Sequence, residues 1–430
     1  MTEPLKIALA GLGTVGGGVV KLLDVNRDLI TRRAGRSIEI VAVSARDRSR
    51  DRGVDISRFE WEDDTTALAE REGIDVIVEL IGGSDGPALA LANRTIAAGR
   101  AFVTANKAMI AHHGLELASA AERAGTAFKY EAAVAGGIPV IKGLREGAAA
   151  NELTQVYGIL NGTCNYILTR METESSDFAD VLADAQALGF AEADPSFDID
   201  GIDAAHKLSI LASLSFGTRI SFGDVALGGI RHVQSGDIAQ ARALGYCIRL
   251  VGLAEADSHG LFQRVHPCLV PLSHPLAHVQ GPMNAVVAEG NFVGRLFFEG
   301  RGAGEGPTAS AVVADLIDIA RGEVGPAFAM PIAALVAATP ANPGDRRERA
   351  YLRFTVADKP GVLAELTAAM RDGGVSIESM IQKGESEDGS VFVAMTTHDG
   401  PARAVQAALD RLEGSASFTG KPMWMPILHV

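Results

Sequence analysis

Apolar positions along this chain alternate between two spacings. Short apolar runs at Leu5 to Ala10, Ile38 to Ser44, Ile74 to Ile81, Ala101 to Thr104 and Ala127 to Ala132 read as buried strands. Helical spacing lies between them, from about Thr14, around 87–98 and around 114–124. Such alternation predicts a parallel sheet over residues 1–133. The pattern changes over 134–330. Strands are expected near 154–160, 248–256, 262–270, 283–288 and 293–298, among long helical runs. Close spacing of the later strands points to an α+β domain with a mixed sheet. A helix at about 307–321 is placed to pack back on the first domain. Residues 331–349 read as a linker, because 339–349 is rich in Pro, Gly and charge, which makes the following unit separable. Residues 350–430 then show a βαββαβ order. Strands are expected near 350–357, 375–382, 390–397 and 421–429, with helices near 361–371 and 401–412. That is the order of a compact ferredoxin-like unit.

Charge narrows the partners. A formal net charge of −14 over 430 residues argues against nucleic acid and anionic membrane surfaces. No apolar run reaches the roughly 18 residues that a membrane span needs. Met1-Thr2-Glu3-Pro4 leads into a strand without a basic stretch, so no signal peptide is expected. Cys164, Cys247 and Cys268 are far apart and form no CxxC, which suits a reducing, cytoplasmic setting.

The candidate chemistry starts at Gly11-Leu12-Gly13-Thr14-Val15-Gly16, between a strand and a helix. Gly11 permits the turn, Gly13 lets the backbone approach a pyrophosphate, and Gly16 permits close packing. Free N–H groups at the helix start, near Thr14 and Val15, suit phosphate. The second strand ends in Val43-Ser44-Ala45-Arg46-Asp47-Arg48, with no acid at its tip for a ribose 2′-hydroxyl. Arg46 and Arg48 can meet a 2′-phosphate, so NADP, or use of both NADP and NAD, is favoured. Asp47 and a solvated-loop reading of the same charges stand against this. Thr104-Ala105-Asn106-Lys107 ends another strand at the ligand edge of such sheets, where Lys107 can touch cofactor and substrate.

Downstream, Glu192, Asp194, Asp198, Asp200 and Asp203 crowd ahead of Lys207. Asp203 and Lys207 share a face at i, i+4 of a helix start. Acids can hold a substrate ammonium while the lysine moves a proton. His206 reads as structural. Asn161-Gly162-Thr163-Cys164 is polar and turn-forming and can line a pocket; Cys164 reads as a packed cysteine before a nucleophile. The turn from Glu131 to Pro139 exposes carbonyls that can hold a hard monovalent cation beside Glu131, although on chemistry alone a plain domain hinge is the better reading. Arg301 to Ser310 is a second glycine loop opening a helix, with Gly304 able to cover the cofactor.

Taken together these motifs resemble the homoserine dehydrogenases. The specific part is Ala185 to Gly189, Asp194-Pro195, then Asp198-Ile199-Asp200-Gly201-Ile202-Asp203 running to Lys207. The resemblance implies a Rossmann-type NAD(P) domain, a substrate and dimerisation domain, and a C-terminal ACT domain, in a homodimer or homotetramer. It implies Lys207 and Lys107 as active-site lysines, with Lys207 the proton donor or acceptor. Glu192, Asp198, Asp203 and Thr163 would bind substrate. Glu131, Val134, Gly136 and Ile138 would hold a Na+-like cation. Glu305 stands where a small residue is usual, so cofactor contact there is expected from Gly304 alone. Phe354 to Leu363 resembles the opening of an ACT domain, with Asp358 and Gly361 at the effector turn and threonine the leading effector. A semialdehyde dehydrogenase acting through Cys164, or a non-enzymatic sensor of nucleotide and amino acid, are the rival readings.

Overall fold

A computed structural model describes residues 3–383 and 390–429. Met1 and Thr2 of the N-terminal reading lie outside the described residues. The first sheet is built from β1 (Leu5–Ala10), β2 (Ile38–Ser44), β3 (Glu60–Trp61), β4 (Val76–Glu79), β5 (Ala101–Thr104) and β6 (Phe128–Lys129). All pair in parallel in the order β3-β2-β1-β4-β5-β6. Helices α1 (Thr14–Val25), α2 (Arg27–Ala34), α3 (Pro87–Ala97) and α4 (Lys107–Ala124) accompany it. Near-continuous apolar strands are what a sheet covered on both faces requires.

Among the boundaries that differ from the sequence pattern, two bear on the site. The strand expected to reach Ala132 stops at Lys129. The Glu131 N–H donates to the buried Asp315 carboxylate at 2.9 Å instead of a ladder, and Glu131–Ala133 becomes a 3₁₀ turn. The helix expected from about 114 starts at Lys107, because the Asn106 side chain accepts from the Met109 N–H at 3.1 Å and caps it.

The second domain contains α5 (Val140–Lys142), β7 (Leu153–Ile159), α6 (Gly162–Glu174), α7 (Phe178–Ala187), α8 (Ser196–Ile199) and α9 (Ile202–Phe216). After these come β8 (Ala226–Leu227), α10 (Ser235–Ala243), β9 (Tyr246–Asp257), β10 (Gly260–Pro271), β11 (Met283–Gly290), β12 (Gly294–Arg301) and α11 (Glu305–Ala320). Helix α9 is almost wholly buried against the sheet. Helix α11 returns to the first domain and packs on α1. A Cβ at Gly18 would lie 2.7 Å from the Glu305 carbonyl oxygen, so only glycine lets the two helices approach this closely.

The last unit has β13 (Arg347–Ala357), α12 (Val362–Gly373), β14 (Ile377–Lys383), β15 (Ser390–Thr397), β16 (Gly400–Pro401), α13 (Ala402–Leu412) and β17 (Met423–Ile427). Its sheet is continuous with that of the second domain, in the order β12-β11-β7-β9-β10-β17-β13-β15-β14. The segment read as a linker is therefore no free tether. The Leu261 N–H donates to the Thr339 carbonyl at 2.8 Å and the Ala341 N–H to the Leu261 carbonyl at 3.0 Å. Charges that look solvated in sequence are ion-pair partners. Glu348 is buried and binds Arg264 bidentately, with both N–O distances 2.8 Å. Asp237 of α10 accepts from Tyr351 at 3.0 Å and faces Arg353 at 3.3 Å, both on β13.

Removing one partner of a buried ion pair strands the other charge. Glu348→Ala is expected to cost about 3 kcal/mol or more of stability in denaturant unfolding. A change within about 0.5 kcal/mol, typical of surface sites, would show that the junction is not held this way.

Candidate active site

Two helices from two domains meet at one carboxylate. Lys107 is the first residue of α4, and Asp203 and Lys207 lie one turn apart on α9. Asp203 Oδ1 is 3.0 Å from Lys107 Nζ and its Oδ2 is 2.7 Å from Lys207 Nζ. Lys207 also donates to the Leu160 carbonyl at 2.7 Å. Asn161 caps α6, accepting from the Cys164 N–H at 2.8 Å. Its Nδ2 donates to Asp198 Oδ1 at 2.7 Å and to Asp203 Oδ2 at 2.9 Å, tying both acids together.

Electrostatics follow from this packing. Burial alone would raise the Asp203 carboxyl, but the Lys207 and Lys107 charges overcome it and hold it well below the usual range. The Asp203 charge raises Lys107, against burial. Asp198 is pushed up by burial and by Asp203, with the Asn161 hydrogen bond opposing. The Lys107 ammonium also stands 5.6 Å from the Phe197 ring centre, over its face.

The remaining sequence candidates separate. Glu192 is exposed, and among the described residues its hydrogen bonding is through the backbone carbonyl, which accepts from Gln186 at 2.9 Å. Its charge still acts on Lys107. Thr163 Oγ1 donates to the Phe190 carbonyl at 3.0 Å, placing it at the rim. Asp194 caps the Ser196 N–H and Asp200 pairs with Arg231, so both serve local structure. Cys164 is fully buried, burial pushes its thiol well above the ordinary value, and Sγ donates to the Asp198 carbonyl. A nucleophile needs the opposite environment.

The glycine loop fits a dinucleotide. A Cβ at Gly11 would lie 2.6 Å from the Leu80 carbonyl oxygen, and Gly11 has φ +106°. Gly13 and Thr14 are exposed at the start of α1, which no side chain caps, leaving its N–H groups for phosphate. Val15 and Gly16 continue the helix inward. Gly304, φ +116°, precedes α11 beside this loop, and the Glu305 carboxylate turns to Lys21 at 2.6 Å. Arg46 is exposed just past β2. Sequence reasoning missed Arg52, which reaches back to donate to the Leu12 carbonyl at 3.0 Å and lies near Trp61. Its neighbours Arg50 and Asp51 look like ordinary loop charge, so nothing in the local sequence set Arg52 apart.

In the candidate cation loop, Glu131 accepts the Ile141 and Lys142 N–H groups at 3.0 and 2.9 Å. Burial, and then the Asp315 charge, push Glu131 up to about 7. Among the described residues no hydrogen bond reaches the Val134 or Gly136 carbonyl, while that of Ile138 accepts from Val140. In the C-terminal unit, Gly361, φ +98°, precedes α12, and Asp358 is exposed on the same turn.

Family models described as homoserine dehydrogenase, its NAD binding domain and the ACT domain match residues 139–317, 11–131 and 350–414. The chain belongs to the homoserine dehydrogenase family. A homoserine dehydrogenase of Pseudomonas aeruginosa is 44% identical over 422 residues, 96% of each chain. A homoserine dehydrogenase structure from Thiobacillus denitrificans superposes with TM-score 0.93 at 40% identity, covering 99% of this chain and 98% of that one. A hyperthermophilic archaeal homoserine dehydrogenase mutant in complex with NADPH matches 74% of this chain and 97% of its own, with TM-score 0.63 at 26% identity. The enzyme is an NAD(P)-dependent oxidoreductase with a homoserine dehydrogenase core and an ACT domain. Among the described residues no helix is long and apolar enough to cross a membrane.

Proposed function

We propose that the enzyme interconverts L-homoserine and L-aspartate 4-semialdehyde, with Lys207 moving the proton and Lys107 orienting the substrate oxygen. The observation that carries this is the Lys107–Asp203–Lys207 bridge. An ammonium has three donors, and Lys207 gives two of its N–H bonds to Asp203 and Leu160. One is left for a substrate oxygen. In the reducing direction that proton goes to the aldehyde oxygen as it becomes an alkoxide; in the oxidising direction the hydroxyl proton returns, directly or through a water. A bound nicotinamide supplies or accepts the hydride. Gly11, Gly13, Thr14, Val15, Gly16 and Gly304 would hold its phosphates. NADP is favoured over NAD because β2 ends without a carboxylate while Arg46 lies just beyond it. Glu192 and Asp198 would take the substrate ammonium, with Thr163 at the rim.

A monovalent cation, Na+ by the family resemblance, would be held by Glu131 and the carbonyls of Val134, Gly136 and Ile138, oxygen donors suited to a hard ion. It would brace the loop between the two domains. We place the enzyme in the cytoplasm, in threonine, methionine and isoleucine biosynthesis, as a homodimer or homotetramer. Threonine would inhibit it at the Asp358 to Gly361 turn.

Three measurements test this reading. Homoserine-dependent NADP reduction should be present, and Lys207→Ala should lose roughly 10²-fold or more of it while cofactor affinity holds. Turnover retained within about tenfold, ~1.4 kcal/mol, removes Lys207 from acid–base work. The second is pH. Glu131 is raised from 4.5 to about 7. Without a cation the folded state keeps that proton, so this contribution to stability is present below 4.5 and lost as pH rises through about 7. A cation competes with the proton, so Na+ affinity by calorimetry should fall about tenfold per pH unit below about 7. Affinity flat in pH takes Glu131 out of the site. The third is threonine titrated into the full chain: binding that Gly361→Val abolishes supports the effector turn, and no heat with unslowed turnover rejects it.

A further inference from the structure

The sequence reading set His206 aside, yet the structure places it against His112 at the same helix pair that carries both lysines. His206 Nε2 lies 3.2 Å from His112 Nε2. His206 is buried on α9, next to Lys207, while His112 is exposed on α4, five residues after Lys107. Phe222 packs against both: its ring stacks on His206 at 4.3 Å and meets His112 edge-on at 5.1 Å. The other neighbour of His206 is Phe197, with ring centres 5.6 Å apart, and Phe197 is the ring whose face carries the Lys107 ammonium.

This second contact matters mechanically. The Lys107–Asp203 ion pair alone is a loose tie between α4 and α9, since the lysine arm is flexible and one-third exposed. The His112–His206 contact adds a second polar tie between the same two helices. An Nε2–Nε2 hydrogen bond requires one ring to donate and the other to accept, so it is directional. Phe197 links this contact to the Lys107 ammonium that stands over its face. We propose that His112 and His206 are positioning residues, whose hydrogen bond locks α4 to α9 and, through Phe197, sets the Lys107 ammonium over the substrate. The inference rests on the reading of Lys107 and Lys207 above.

The exposed partner makes a clean test, because changing it disturbs no core. His112→Leu deletes the hydrogen bond, and His112→Gln keeps a group that can donate or accept. Turnover of homoserine, NADP affinity and thermal midpoint are measured for each. His112→Leu should lower kcat about tenfold, ~1.4 kcal/mol of barrier, with the NADP Kd within about twofold. Its midpoint should move by less than about 2 °C. His112→Gln should recover kcat to within about threefold of the parent enzyme. His206→Phe, which keeps the stack on Phe222, should lower kcat as His112→Leu does, and combining the two should add little. Unchanged kcat in His112→Leu overturns the inference, as does an equal loss in the Leu and Gln variants. If the parent enzyme itself fails to turn over homoserine, the functional reading fails first, and that result is distinct from either.

Discussion

One buried carboxylate organises this enzyme. Asp203 faces Lys107 across the domain boundary and Lys207 along its own helix, each on a separate oxygen. Burying any of these charges alone would be costly, and together they satisfy one another. Asp198 adds a second acid close by, and Asn161 donates to both carboxylates, doing with a neutral amide what would otherwise need a shared proton. The second domain supplies most of this cluster itself, and Lys107, one-third exposed, brings the first domain to its remaining carboxylate oxygen.

The architecture supplies the stiffness this cluster needs. Lys107 sits at a helix start fixed by the Asn106 cap, at the ligand edge of the parallel sheet. Helix α9 lies flat on the second sheet, where Leu160 and Leu208 side chains fill the space above Gly252. Helix α11 closes back on α1, so the glycine loop and the second glycine loop meet around Gly18 and Glu305. That second sheet then continues through β17 and β13 into the ACT domain. Hydrogen bonding is unbroken from β9, against which α9 packs, to the strand preceding the Asp358 to Gly361 turn.

Much of this was legible in the linear sequence, for a definable reason. A strand–glycine–helix order, a buried run of apolar residues, or an i, i+4 acid and lysine are local patterns whose physics closes within a few residues. Those patterns located the nucleotide loop, the α9 carboxylate and lysine, and the βαββαβ unit. The buried state of Cys164 also followed from residue type.

Other features depend on residues far apart in the chain, and only the tertiary structure decided them. Lys107 and Asp203 meet across 96 positions of sequence, and nothing near either one announces the other. Glu348 lay in a charged stretch read as a linker, yet it pairs with the distant Arg264, because a buried ion pair and a surface charge share one residue alphabet. Asp315 ended a strand early by taking a backbone N–H from Glu131. His206 looked structural until His112 stood beside it. The sequence by itself determined which local elements form and what chemistry they carry. The fold decided which charges lose their water, because desolvation depends on what packs above a residue rather than on what precedes it.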